Sequence, residues 1–202
     1  MESEWLASND PDAMLEHITG WTSERKLRLF ACACCRRIWA LLKTEQLRHA
    51  VETSERYADG RALLKELKAA RDAVWQRSGE GLAAYTATHP RGAQTLKGLR
   101  AAASAAGGYL AERAGQADLL RDVTGNPFRT IEMNPAWLAW NGGTVRSMAQ
   151  AIYDERTFEQ LPILADALEE AGCDDAEILH HCRKPGVHVR GCWVLDLLLG
   201  KE

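Results

Sequence analysis

The sequence predicts an all-α fold, a multi-helix single globular domain with one tryptophan-bearing irregular segment near 124–143. Three observations predict it. Apolar residues recur at helical spacing through most of the chain, no strand-like alternation runs beyond a few residues, and helix-start and helix-stop residues punctuate the apolar stretches. With 202 residues, 46% of them apolar and 26% charged, the chain can bury a core, and wholesale disorder is excluded.

The elements follow in order. Asp10-Pro11 reads as an N-cap with proline at the first helical position, and Met14, Leu15 and Ile18 share a face that Gly20 ends. Thr22 or Ser23 opens a second helix, expected over 23–42. On it Leu27, Phe30, Ala31, Cys34, Ile38, Leu41 and Leu42 form one apolar stripe, with Cys32, Cys35 and Trp39 beside it. Only a narrow strip carrying Arg25, Lys26 and Arg36 is left for solvent, so this helix is expected to be central and packed on two sides.

Helical spacing resumes over 45–58, where Asp59-Gly60 closes it, and again from Leu63 to Trp75. Ser78-Gly79-Glu80-Gly81 reads as a break, Leu82 to Thr88 as a short helix, and His89-Pro90-Arg91-Gly92 as a second break. The alanine-rich run from Leu96 to Arg113 suits a close-packed helix, with Gly107-Gly108 at a crossing or bend. Residues 116–123 extend it beyond a weak point at Gly115.

Thr124-Gly125-Asn126-Pro127-Phe128 ends the pattern. Residues 124–143 are expected to be irregular but pinned by the indoles of Trp137 and Trp140. This segment is the one candidate for an internal boundary in a chain otherwise read as a single helical domain over 1–202. Thr144 is expected to cap a helix to Glu155, and Phe158 to Glu170 makes the next, stopped by Gly172. Asp174 caps a short one through Cys182, Lys184-Pro185-Gly186 turns the chain, and Cys192 to Leu199 is a last apolar segment.

A formal net charge of −3 supplies no global field toward nucleic acid or anionic membrane. Charge is uneven, with eight Lys and Arg against three Asp and Glu over 61–100, and five against eleven over 151–202. Such blocks first of all solvate helices, and a basic face for an acidic partner is the sharper alternative. The first fifteen residues lack a basic start followed by an apolar run, and no apolar stretch is long enough to span a bilayer. A cytoplasmic protein away from membranes is expected, with reduced thiols, so the six cysteines are not read as a disulfide framework.

Phosphate-cradling loops, dinucleotide fingerprints, His-Glu-x-x-His and nucleophile elbows are absent from the sequence. What stands out is cysteine and histidine. Cys32, Cys34 and Cys35 crowd one helical turn, and Cys173, His180, His181, Cys182, His188 and Cys192 gather near the C-terminus. Cys182-x5-His188-x3-Cys192 spans a Pro-Gly turn and brings thiolates and imidazoles within reach of one tetrahedral zinc. The candidate ligands are His181, Cys182, His188 and Cys192, with Cys32, Cys35 and Cys173 as alternates. The plainer reading ranks first: buried cysteines acting as small hydrophobes, and histidines at helix C-termini. A reactive thiol is a further reading, best placed at Cys192 with His188 one turn back. The arginines and lysines of 25–37 are spread around their helix without interleaved tryptophans, which speaks against nucleic acid.

Several blocks resemble a family of uncharacterised proteins abundant in planctomycete bacteria. They are Glu4-Trp5-Leu6-Ala7 with Asp10-Pro11 and Met14-Leu15, then Arg25 through Trp39 with its Phe30-Ala31-Cys32-Ala33-Cys34-Cys35 core, Gly125-Asn126-Pro127-Phe128 and Ala151 through Arg156. The tail matches from Leu161-Pro162 through His181-Cys182-Arg183 and His188 through Trp193 to Lys201. The match covers both ends and thins in the middle of the chain. The resemblance implies a bacterial cytoplasmic protein forming one coherent unit, and it carries over no mechanism and no catalytic residue. The expected role is a binding or regulatory module acting through a protein partner, with room for a structural zinc. A metal- or thiol-dependent enzyme is the alternative, and a nucleic-acid binder ranks third.

Overall fold

A computed structural model describes residues 1–18, 20, 22–74, 79–89 and 109–201. The fold is all-α. The described residues contain twelve α-helices and no strand: α1 (Glu2–Ala7), α2 (Pro11–Ile18), α3 (Glu24–Arg37), α4 (Glu45–Ala58), α5 (Leu64–Ala73), α6 (Gly79–Ala87), α7 (Tyr109–Thr124), α8 (Pro135–Ala139), α9 (Thr144–Glu155), α10 (Leu161–Glu170), α11 (Ala176–Arg183) and α12 (Trp193–Leu199). None of the described helices is long and apolar enough to cross a membrane. Trp75, Ser78, the break at 90–92 and the alanine-rich stretch before residue 109, with Gly107-Gly108, lie outside the described residues.

Local chemistry sets the early helix starts. Asp10 Oδ1 accepts from the backbone N–H groups of Asp12 and Ala13, and Ser23 Oγ accepts from that of Lys26 at 3.2 Å. Phe30 is fully buried at the centre of a first apolar cluster, in which α3 packs on α4, α6 and α7, and α2 on α7. A second cluster, built by α8–α12, centres on Tyr153, Ile152, Leu161 and Leu164.

Several boundaries differ from expectation. Helix α3 stops at Arg37, because Ile38 leaves helical geometry (φ −99°, ψ 23°) and Trp39–Leu41 form a 3₁₀ turn. That turn places the Trp39 ring 3.9 Å from the Arg36 guanidinium carbon and 5.7 Å from that of Arg48. Residues 79–81 begin α6 instead of breaking the chain, and α7 runs unbroken through Gly115, where a Cβ would collide with the Arg37 guanidinium. The segment 124–143 is only partly irregular. Asn134 caps α8, Trp140–Gly142 add a 3₁₀ turn, and Trp137 is 6% exposed within the second cluster. Gly143, at φ 93°, precedes α9 in the capping place read for Thr144. Asp175, not Asp174, caps α11 by accepting from Glu177 and Ile178.

The seam between the two clusters is charged. The strip of α3 that the sequence left to solvent faces this seam. Arg25 donates to Asp196 (2.7 Å), to Asp59 (3.1 Å) and to the Tyr153 hydroxyl (2.7 Å), and that hydroxyl donates to Asp59. Lys26 Nζ lies 2.6 Å from Asp196 and donates to the carbonyls of Val123 and Gly191. Asp59 and Asp196 are buried side chains, and charges so placed survive only when paired and hydrogen-bonded. The seam therefore holds the second cluster in one register against α3.

Candidate metal centre

Three chain segments converge at one end of this seam. Helix α7 carries Asp122 on its buried side, three residues beyond Leu119 and next to the buried Val123. Helix α11 carries His181 and Cys182. Pro185 then forces Lys184 into extended backbone (φ −65°, ψ 125°), so α11 stops and the chain doubles back. His188 returns beside His181, their ring centroids 4.9 Å apart. Gly191, at φ 95°, bends the chain once more, and Cys192 sits at the N-cap of α12.

The donor atoms of Asp122, His181, His188 and Cys192 all lie within 4.8 Å of one another, and the group could hold a metal ion. His188 Nδ1 donates to Asp122 Oδ1 at 2.6 Å, and the backbone N–H of Val189 donates to Asp122 Oδ2 at 3.0 Å. His181 Nε2 lies 3.1 Å from Cys192 Sγ and 3.3 Å from Asp122 Oδ1. The indole N–H of Trp193 donates to His181 Nδ1 at 3.0 Å. Asp122 and Cys192 are buried, and both imidazoles are mostly so.

Electrostatics in the metal-free group favour an ion pair. Burial acts to raise the Asp122 carboxyl, but hydrogen bonds and charge from His181 and His188 overcome it and leave its pKa below the usual value. Burial likewise works against a charged His188, and the bond to Asp122 overcomes it, pushing that pKa up. Burial, reinforced by the Asp122 charge, pushes the Cys192 thiol well up. A bound cation reverses that last effect, since a coordinating thiol loses its proton outright. One carboxylate, two imidazoles and one thiolate make a mixed hard and soft set that suits zinc. Tetrahedral zinc with bonds of about 2.1 Å needs donors about 3.4 Å apart, so the 2.6 Å His188–Asp122 and 3.1 Å His181–Cys192 pairs must open and the pairs nearer 4.8 Å must close around the ion.

Of the residues read from the sequence, the structure brings His181, His188 and Cys192 together. Cys182 is not in the group. It is buried in the second apolar cluster, with its thiol pushed up to about 12 by burial, and Cys173 is buried there too. Cys32 and Cys35 lie in the first cluster, and Cys32 Sγ donates weakly to the Val51 carbonyl at 3.8 Å. Asp122 was not foreseen. Its signal in the sequence is an acid on the apolar face of a helix, near the C-terminal end where the dipole disfavours negative charge. Asp122, His181 and His188 also line a cavity of about 270 Å³ that reaches Arg37 and Lys184.

No family model matches the chain, and neither a curated protein nor a solved structure matches it.

Proposed function

We propose that this chain is a binding or regulatory module built around a structural zinc ion held by Asp122, His181, His188 and Cys192, and acting through a protein partner. The observation that carries the reading is the convergence of four different donor groups, from three separate segments, within 4.8 Å. Four protein ligands fill a tetrahedral site and leave no position for substrate, the arrangement of structural and not catalytic zinc. The ion ties α7 of the first cluster to α11 and α12 of the second. It thereby adds a coordinate link to a seam otherwise held by ion pairs, and it keeps one surface geometry for the partner. The thiol-enzyme alternative has less support: all six cysteines are buried, and a nucleophilic thiolate needs an accessible site that lowers its pKa.

A second reading has one observation in its favour. The 2.6 Å His188–Asp122 contact is a complete hydrogen bond as it stands, so the group could serve as a metal-free ion-pair staple. Metal content by mass spectrometry separates the two. The zinc reading expects about one zinc per chain after purification, lost in Asp122→Asn and in Cys192→Ser, and a melting temperature lowered by chelator. Metal-free protein with a chelator-independent melt would leave the ion-pair staple.

A further inference from the structure

We propose that the arginine-lined cavity on the seam binds a small organic phosphate, a phosphomonoester with an apolar or aromatic body. The cavity holds about 380 Å³, within the range of small-molecule sites, and lies between α3, α4 and the segment after α9. It is two-faced. Leu29, Phe158 and Val189 offer apolar wall, while Arg36, Arg156 and Arg190 supply guanidinium groups.

Three features mark the polar face as more than a set of internal ion pairs. First, two guanidiniums share a single carboxylate. Arg36 donates through Nε (3.1 Å) and Nη2 (2.8 Å) to the two oxygens of Glu55, and Arg156 donates to the same two oxygens. Second, the Arg190 side chain is only 9% exposed. It spends Nη1 on Asp59 and Nη2 on the Tyr153 carbonyl, and its buried Nε has no acceptor among the described residues. A buried donor without a partner carries a desolvation penalty. Third, Arg156 stands at φ 60°, ψ 31° at the end of α9, a left-handed stop that glycine takes far more readily. The arginine there sends its side chain to the cavity.

Charge extends past the cavity mouth. A neighbouring hollow shares Arg36, Glu55, Arg156 and Arg190 and adds Arg56, Arg61 and Glu52; Arg61 and Arg190 are matched by Asp154 and Asp59, so the charge open to a ligand is that of the two guanidiniums that share Glu55. The planar forks of arginine match phosphate oxygens two at a time, and the apolar wall selects an ester over inorganic phosphate. Because Arg36 belongs to the first cluster and Arg156 and Phe158 to the second half of the chain, the bound phosphate bridges the seam and rigidifies it. The arginines and apolar residues named here are not zinc donors, but His188, which is one, also lines the cavity, so binding is measured both without and with the metal.

The test is calorimetric titration with phenyl phosphate, inorganic phosphate and phenol, in chelator and again with zinc. Saturable binding of phenyl phosphate in chelator, tighter than either fragment, is the expected result. Arg156→Gln should weaken it about tenfold or more, the worth of one charge-assisted donor. Arg156 shares Glu55 with Arg36, so this variant should fold; if its circular dichroism is altered, Arg36→Lys is measured instead, with the same expectation. Phe158→Ala should weaken phenyl phosphate and leave inorganic phosphate unchanged. Absence of saturable binding, equal affinity in the arginine variant, or binding that requires zinc would each overturn the proposal.

Discussion

Trp193 donates its indole N–H to His181 Nδ1 at 3.0 Å, and this bond decides which way the imidazole presents its proton. A neutral ring that accepts at Nδ1 carries its hydrogen on Nε2, the nitrogen facing Cys192 and Asp122. Zinc at Nε2 replaces that hydrogen and sends the ring proton to Nδ1, where it meets the indole N–H head-on. Metal uptake therefore breaks the Trp193 bond. Trp193→Phe removes this opposition in advance and should tighten zinc about fivefold, the equivalent of one neutral hydrogen bond of about 1 kcal/mol. Competition against a chromophoric chelator measures it. Unchanged or weaker zinc binding would show that the indole bond survives uptake.

Glu55 gives the seam a dependence on acid. Burial acts to raise its pKa, but the hydrogen bonds from Arg36 and Arg156 prevail and hold it below the ordinary carboxylate value. A carboxylate depressed in the folded state contributes stability that is complete above its unfolded pKa, about 4.3, and is lost as pH falls through the folded value. Urea midpoints should therefore hold steady near neutrality and drop below about pH 4.5. Glu55→Gln should lower stability at neutral pH by about 1–2 kcal/mol, since it takes the buried carboxylate away from two partly exposed guanidiniums, and should flatten the acid limb. A variant with the wild-type acid profile would assign that limb to other carboxylates.

Gly191 positions the centre's C-terminal arm. Its φ of 95° is one that side-chain-bearing residues rarely adopt, and an added Cβ would stand 2.9 Å from Leu29 Cδ1 and 3.1 Å from Leu29 Cβ. Gly191→Ala should destabilise by about 2 kcal/mol, from left-handed backbone strain and the clash together. Because Cys192 follows directly, zinc affinity should fall with it. Denaturant melts and zinc titration check both, and a fall in neither would mean the arm moves freely off α3.

Phe30 tests the first cluster. It is fully buried on α3, and truncation leaves a cavity walled by helices that cannot all collapse. Phe30→Ala should cost about 3–5 kcal/mol in denaturant melts. A loss under about 1 kcal/mol would contradict a central α3.

What the sequence reveals and conceals here follows distance along the chain. The caps at Asp10 and Ser23 are legible because side chain and backbone partner are two or three residues apart. The end of α3 is not, since Ile38 leaves helical geometry within an apolar stripe whose spacing still reads as helix through Leu42. Arg25 and Lys26 read as a solvent strip because their partner Asp196 lies 171 residues from Arg25. The same rule divides the candidate centre. His181, His188 and Cys192 sit around one Pro-Gly turn, so their proximity is readable. Asp122 arrives from another helix and has no neighbour in sequence to announce it. Adjacent His181 and Cys182 point about 100° apart on α11, so only one of them can face Asp122 while the other enters the core.

The central claim concerns four named donors, and X-ray absorption at the zinc edge tests it most directly. Zinc-loaded protein should show about one sulfur at about 2.3 Å and about three nitrogen or oxygen neighbours at 2.0–2.2 Å. The sulfur shell should vanish in Cys192→Ser and persist in Cys182→Ser. A sulfur shell that disappears with Cys182 instead, or a zinc surrounded only by oxygen and nitrogen in the unsubstituted protein, would contradict the assignment of the centre.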